Sequence, residues 1–435
     1  MFKAIGRIFR TPDLQRKIWF TLGIIAIYRL GAFIPSPGVD YANVQQCLAA
    51  GTAQGGVYSL VNMFSGGALL QVSIFALGIM PYITASIIVQ LLRVVIPRFE
   101  QLHQEGPQGQ ATLTQYTRYL TLALALLQGT TMAAMARTGV LLRCELSLLR
   151  DDSILTVLLV VLVLTTGCIV VMWLGEQVTE RGVGNGMSLL IFASIAAGFP
   201  SAISQVWQTQ GIRTFLVVIA VGLLTMLAIV FVEESQRRVP VQYAKRQIGS
   251  RTVGGTSTFI PIKVNMAGVI PVIFASSVLM LPGILVEFNT PRDGSNPPGW
   301  VVFIANYFGN GDQPLYMITY LLMIIGFTYF YVSITFNPKE ISDNMKRYGG
   351  FIPGVRAGRP TERYLEYVIS RITFPGALYL GVVAMIPLIA FVLIDVNQDF
   401  PFGGTSILIM VGVGLQTIKQ INAQMEQRHY EGLLR

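Results

Sequence analysis

The chain has 435 residues, 53% of them hydrophobic and only 12% charged, with a mean hydropathy of +0.59 and a formal net charge of +9. Soluble globular chains carry roughly 25% charged residues, so this composition excludes a water-soluble enzyme or scaffold and predicts one polytopic, all-α integral membrane bundle. Cys47, Cys144 and Cys168 lack CxxC spacing and His103 and His429 lie far apart, which signals neither a disulfide framework nor a metal site; Cys47 and Cys144 read as incidental small residues.

Residues 1–17 form a basic, amphipathic cytoplasmic arm with no short apolar core before a small-residue cleavage site. Apolar segments able to span, or nearly so, follow at 18–35, 70–92, 119–136, 153–174, 187–200, 213–232, 264–285, 314–336, 374–394 and 403–418. The shortest is 187–200, whose end near Pro200 is the least defined boundary. Ten crossings put both ends on one side. Divided after the fifth, they give an N-terminal half (18–200) and a C-terminal half (201–418) that enter from opposite faces, the geometry of an inverted repeat around a central cleft. Residues 419–435 are a tail.

The run from Gly56 to Pro97 carries no charge until Arg93 and is too long for one straight crossing. Ser65, Gly66 and Gly67 break it, because paired glycines are costly in a helix and permit backbone angles that other residues avoid. A stub, Tyr58 to Phe64, is left ahead of the second span. A piece that does not cross is tolerated at membrane depth only when protein encloses it or it lines a wet cavity. The segment therefore reads as a movable closure over a cavity.

Basic residues fix the orientation. Lys3, Arg7, Arg10, Arg16 and Lys17 precede the first span, Arg237, Arg238, Lys245, Arg246, Arg251 and Lys263 follow the sixth, and Lys339, Lys346, Arg347, Arg356, Arg359, Arg363 and Arg371 follow the eighth. These lie on one face; only Arg137, Arg143, Arg150, Arg213 and Arg292 fall on the other, and Arg29 lies within the first span. The basic face is the cytoplasmic one, so both termini are inside and the positive charge is mostly a topology signal. Two of its loops exceed what a connection needs. Residues 233–263 mix arginines with Val, Tyr, Ile and Gly as a β-ribbon would, and 337–373 read as two amphipathic helices around a Gly/Pro-rich tip at 349–360. Their length and charge suit either a docking surface for an acidic or RNA-containing partner or a solvated loop of incidental length.

No HExxH, GxSxG, Walker A or Ser/His/Asp arrangement falls within the spans, and Gly182-Val-Gly-Asn-Gly186 lacks the Lys-Ser/Thr of a phosphate loop; it reads as the turn into the fifth span. No span contains Asp or Glu, the usual ion-coupling ligands. Arg29 reads as paired with backbone carbonyls or reaching toward the outer interface. Ile79 with Ile83, and Ile191 with Ile195, share helix faces, and either pair taken alone reads as ordinary helix packing. Thr84, Ser86, Gln90 and Asn265 are weakly polar groups able to bond across a helix seam at about 1 kcal/mol or less each, weak enough to open.

Asn62-Met-Phe-Ser-Gly-Gly-Ala68, Ser73-Ile-Phe-Ala-Leu-Gly-Ile-Met-Pro-Tyr82, Gln115-Tyr-Thr-Arg-Tyr119, Trp173-Leu-Gly-Glu-Gln177, Arg181-Gly-Val-Gly-Asn-Gly186, Val239-Pro-Val-Gln-Tyr-Ala-Lys-Arg246, Lys263-Val-Asn-Met-Ala-Gly-Val-Ile-Pro271, Gly349-Gly-Phe-Ile-Pro-Gly-Val-Arg356 and Arg428-His-Tyr-Glu-Gly432 resemble, in order, the motifs of the SecY family, channel subunits of the bacterial Sec translocon. The resemblance implies two inverted five-helix halves around a central hourglass pore, stoppered by a short plug helix in the bacterial inner membrane. It implies passage of unfolded secretory chains, with their signal peptides, and sideways release of apolar segments into the lipid bilayer. It casts Ile79, Ile83, Ile191, Ile195, Ile273 and Ile409 as a pore ring and residues 58–67 (Tyr58, Leu60, Asn62, Met63, Phe64, Ser65, Gly66, Gly67) as the plug. Thr84, Ser86, Gln90 and Asn265 become part of a lateral gate where the second and third spans face the seventh and eighth. The implied partners are SecE, SecG, the SecA motor ATPase and the ribosome, the last two docking on Arg237, Arg238, Lys245, Arg246, Arg251 and Arg356. One departure is the loop 98–117, which lacks the basic pair many relatives carry just before Gln115.

Residues alone leave a second reading, an inverted-repeat secondary transporter of a small solute, and a third, a membrane-embedded enzyme for which nucleophile and base are missing. No cofactor is expected under the first.

Overall fold

The fold is a helical one, seen in a computed structural model that describes residues 12–49, 65–137, 147–151, 153–243, 246–248, 251–253, 257–289, 297–308, 313–394 and 404–431. The chain divides into two compact units, Met1–Phe215 with Val413–Arg435, and Leu216–Asp395 with Phe402–Gly412.

In the first unit, α1 (Pro12–Phe33) opens on Pro12 and Asp13, the pairing that suits the donor-rich positive end of a helix. The short α2 (Tyr41–Ala49) follows. Next come α3 (Met80–Val95) and α4 (Pro97–Gln104), which meet at a 102° bend where Pro97 ends the ladder of α3. Then α5 (Pro107–Arg137) packs on both α3 and α6 (Ile154–Arg181). In α6 one side buries Val160, Leu164, Cys168 and Val171 while Leu155, Leu158 and Leu162 stand exposed. A helix apolar on both sides has lipid rather than water outside it. The long α7 (Gly186–Glu234) is two helices meeting at Gly211, whose φ of 75° no right-handed helix contains. Its first part runs past Pro200, beyond the predicted end at that residue.

The second unit begins within α7. Strands β1 (Gln236–Tyr243) and β4 (Ser257–Lys263) pair antiparallel from Gln236↔Lys263 to Gln242↔Ser257, and between them β2 (Arg246–Ile248) pairs with β3 (Arg251–Val253). Helices α8 (Ile270–Asn289), α9 (Gly299–Phe308), α10 (Pro314–Thr335) and α11 (Pro338–Arg347) follow. Strand β5 (Gly350–Phe351) then adds to β1, and α12 (Arg359–Ile394) continues the chain. The last helix, α13 (Gly404–Glu431), starts in the second unit and ends in the first. The predicted ribbon at 233–263 and helix–tip–helix at 337–373 are therefore regular elements, and the second amphipathic helix is continuous with the ninth predicted span. Helix α9, packed against α8 and α10, has no counterpart among the predicted spans.

Helix occupies most of each predicted span. By length and composition, five helices among the described residues can cross a membrane, six counting the bent α3–α4 pair. The expectation of a second span from residue 70 needs correction: 66–79 are successive turns and helix starts only at Met80, with Pro81 in its first turn. A second correction concerns cysteine. Cys47 is fully buried and disulfide-bonded, not incidental, whereas Cys168 is a buried free thiol. Cys144 lies outside the described residues.

Candidate functional site

The turn segment 65–79 is where the first unit departs from helix, and its neighbours are shaped to admit it. A Cβ on Gly31 of α1 would run into the Phe75 ring, and one on Gly167 of α6 into the carbonyl of Ile74. Both helices thus approach the turns as closely as only glycine permits. Backbone bonds then fasten the segment: the Ser36 amide donates to Val72 O (3.0 Å) and the Ile74 amide to Ile34 O (3.0 Å), around a Pro35↔Ser73 bridge. Ser65 Oγ accepts from the Leu69 amide (3.1 Å). Gly66, Gly67 and Gly78 take φ of 68°, 91° and 56°, and Val72 takes 45°, a conformation that β-branched residues avoid. Non-helical backbone shielded from water needs partners from the surrounding protein, and these contacts supply part of them.

The glycine pair expected to break the run does so, and the break is anchored on two sides. Arg29 of α1, held over the Phe33 ring at 4.7 Å, donates from Nη1 to the carbonyl of Gly66 (2.5 Å). On the other side lies Ser194 of α7, whose Cα would stand 3.2 Å from a Cβ on Gly66. Ser194 Oγ donates to Leu190 O (3.0 Å) and so accepts from Tyr28 O–H (2.8 Å), while the Tyr28 ring stacks on Phe75 at 6.0 Å. Of the alternatives the sequence leaves for Arg29, a backbone-carbonyl partner or a reach toward the outer interface, the structure shows the first. The Tyr28–Ser194 bond, across 166 residues of chain, was not legible.

Ile191 and Ile195 flank Ser194 on the same turn of α7 and are buried, as is Ile79, while Ile83 one turn along α3 is half-buried. These four belong to the first unit; Ile273 and Ile409, both buried, belong to the second. The plug residues Tyr58, Leu60, Asn62, Met63 and Phe64 lie outside the described residues, while Ser65, Gly66 and Gly67 are placed as above. Of the expected gate residues, Thr84 bonds back to Met80 O within its own helix (3.0 Å), and Ser86 and Gln90 are half-buried on α3. Asn265 is buried in the second unit, donating to Glu233 Oε1 (2.5 Å) and Gly268 O (3.1 Å). Its described partners thus lie within its own unit. The Gly182–Gly186 stretch is the turn it was expected to be: Gly184 takes φ 84° and Asn185 Oδ1 accepts from the Met187 amide (3.1 Å), capping α7.

Another pair joins two of the quoted motifs. Arg118 holds Glu176 with two parallel bonds, Nε to Oε1 at 2.9 Å and Nη2 to Oε2 at 2.8 Å, linking α5 to the C-terminal end of α6. The Glu176 carboxylate raises the guanidinium pKa above its ordinary value, chiefly through these bonds. Its signal was present in the two motifs, but nothing in either shows that they meet.

The basic projection belongs wholly to the second unit. Val239, Val241 and Ile262 of the ribbon bury against Met345, Ile352, Leu365 and Val368. Alternation turns Arg238 to the face opposite Val239 and Val241, over the Phe259 ring at 4.9 Å, while Arg237, at the start of β1, lies on the valine side beyond the packed core and is exposed as well. Arg246 and Arg251 lie on the paired strands β2 and β3, and Lys245 lies outside the described residues. Arg356 is exposed at a tip stapled from both sides: Thr361 Oγ1 donates to Arg356 O (2.9 Å) and Ser342 Oγ to Gly358 O (2.8 Å). Among the described residues no cluster of His, Cys, Asp or Glu is suited to a metal.

The SecY family model matches residues 73–418. The protein translocase subunit SecY of Micrococcus luteus is 78% identical over 436 residues, covering 100% of both chains. A solved structure described as a protein conducting channel aligns with a TM-score of 0.65 at 18% identity, over 94% of this chain and 92% of that one. Another, described by the plug domain of the SecY protein that stabilises the closed state of the translocation channel and maintains a membrane seal, aligns with a TM-score of 0.63 at 21% identity over the same shares.

Proposed function

The chain belongs to the SecY family, and from that membership we infer that it is a protein-conducting channel that moves unfolded secretory polypeptides across the membrane and releases apolar segments sideways into lipid. Full-length identity of 78% to a protein translocase subunit carries this reading. A small-solute transporter finds no support among the relatives.

Physics explains why such a channel is needed and why this chain suits it. A charged residue at the bilayer centre costs roughly 2.5 to 3.5 kcal/mol on insertion scales, so an ordinary secreted sequence needs a wet path. In our reading ten crossings form two inverted halves, and Ile79, Ile83, Ile191, Ile195, Ile273 and Ile409 pinch the path between them. Aliphatic side chains constrict a pore by dewetting and offer no group that would hold a passing residue. Residues 58–67 fill the path at rest. The lateral gate carries Thr84, Ser86, Gln90 and Asn265, and a segment leaves through it when its free energy is lower in lipid. The channel itself supplies no driving force. The projection with Arg237, Arg238, Lys245, Arg246, Arg251 and Arg356 receives the SecA motor ATPase or the ribosome, and SecE and SecG complete the complex.

We place the protein in the bacterial inner membrane with both termini cytoplasmic. Clustering of exposed Arg237, Arg238 and Arg356 on one projection supports this by the charge bias of membrane topology. The disulfide at Cys47 supports it independently: α2 lies on the face opposite the basic loops, and disulfides persist on the oxidising side of a membrane.

The test is a secretory chain stalled midway, with single cysteines at Ile83 and Ile195 in turn. Crosslinking at both, and not at a cysteine replacing lipid-facing Leu158, is the expected result. Crosslinks only at position 158 would overturn the pore.

A further inference from the structure

We propose that Arg29 is a positioning residue of the channel: its guanidinium latches the root of the plug against α7 in the closed state. The proposal rests on reading 58–67 as the plug and adds the residue that sets its resting position.

Three observations converge. First, Arg29 is a lone cation within an apolar span, and its described polar partner is the carbonyl of Gly66, at 2.5 Å. Gly66 is the first glycine of the pair that ends the plug segment, so whatever fixes it fixes the point to which that segment is tethered. A guanidinium donating to a carbonyl is worth more than a neutral bond, and its loss removes the one charged donor described at the Gly66 carbonyl. Second, residue 66 must be glycine for two separate reasons. Its φ of 68° disfavours a side chain, and a Cβ would stand 2.7 Å from Arg29 Nη1 and 3.2 Å from Ser194 Cα. The backbone at 66 is therefore sandwiched between the arginine and α7. Third, the α7 residue it touches is Ser194, directly between Ile191 and Ile195, and Ser194 is itself pinned by Tyr28, the neighbour of Arg29 on α1. One turn of α1 thus holds both the plug root and the stretch of α7 that carries two of the ring positions. Phe33 beneath the guanidinium keeps it pointed at Gly66 instead of toward the interface.

A latch differs from a structural brace in one measurable way: once the plug is gone, it has nothing left to hold. The experiment measures resting ion leak of the purified channel complex in liposomes for wild type, R29Q, R29K, G66A, a deletion of 58–67, and the deletion combined with R29Q. Loss of a charged hydrogen bond predicts a leak raised roughly tenfold or more in R29Q. R29K, which keeps the charge but loses the planar fork, should fall between R29Q and wild type. G66A, which keeps the arginine in the sequence but pushes its guanidinium off the carbonyl, should leak like R29Q. In the deletion background R29Q should add nothing. A tight R29Q channel beside a leaky deletion overturns the latch and leaves the plug standing, whereas a tight deletion overturns the plug itself. Further leak on adding R29Q to the deletion shows that the arginine braces the bundle, and also overturns the proposal. Should R29Q fail to assemble, G66A alone decides: a tight G66A channel refutes the latch.

Discussion

Two of the non-helical stretches among the described residues, the ribbon and the turns at 65–79, solve the same problem in opposite ways. The ribbon of β1 and β4 satisfies its backbone with its own ladder and hides Val239, Val241 and Ile262 while turning its arginines to water. The turns at 65–79 have no ladder. They are held by glycines that let α1 and α6 come close, by borrowed backbone partners at Ile34 and Ser36, and by one arginine. Irregular backbone in water needs only itself and solvent; in a membrane it depends on its neighbours, residue by residue.

That contrast predicts where substitution hurts. Gly167→Val should be the most damaging, because its side chain meets the Ile74 carbonyl, which is backbone and cannot swing aside. An overpacking cost of about 3 kcal/mol or more is expected, read as a lowered thermal midpoint of the purified protein. Unchanged stability would mean that α6 and the turns can separate freely. Val241→Ala in the ribbon removes two buried methyl groups and should cost roughly 1.5 to 2.5 kcal/mol. Faster hydrogen exchange should be confined to the ribbon and its partners α11 and α12; spread to 65–79 would erase the distinction between the two stretches. Arg356→Glu should leave stability within about 0.5 kcal/mol, because its side chain is exposed and its tip is held through backbone oxygens. Translocation driven by the SecA motor should nonetheless fall sharply, and full activity would remove Arg356 from the docking surface.

Periodicity and composition carry the helices because lipid imposes one requirement, apolar length, on every span. They carry the break at Gly66 because few residues tolerate its backbone angle. The start of α3 was readable too, in Pro81 just after Met80, but an uninterrupted apolar run from 70 hides it: turns enclosed by protein are as apolar as a helix in lipid. Pairs distant in sequence were out of reach. Nothing local ties Tyr28 to Ser194 or Arg118 to Glu176, and Ile273 and Ile409 entered only through family resemblance, since aliphatic neighbours at helical spacing, such as Val269 and Val413, are too common in these helices to mark them out. Cys47 misled because cysteine count and spacing say nothing about which chain segments fold onto one another.

The bond at Cys47 also dates the protein's own assembly. Helix α2 carries this cysteine beside the Ser147–Leu149 stretch, whose carbonyls at 147 and 148 accept from Asn43 and Asp40, and the orientation proposed above puts it on the outer face. Oxidation there can follow only after that part of the chain has been delivered outside. In that orientation the ratio of oxidised to reduced thiol in newly made molecules is a clock for membrane insertion, built in ahead of the second predicted span.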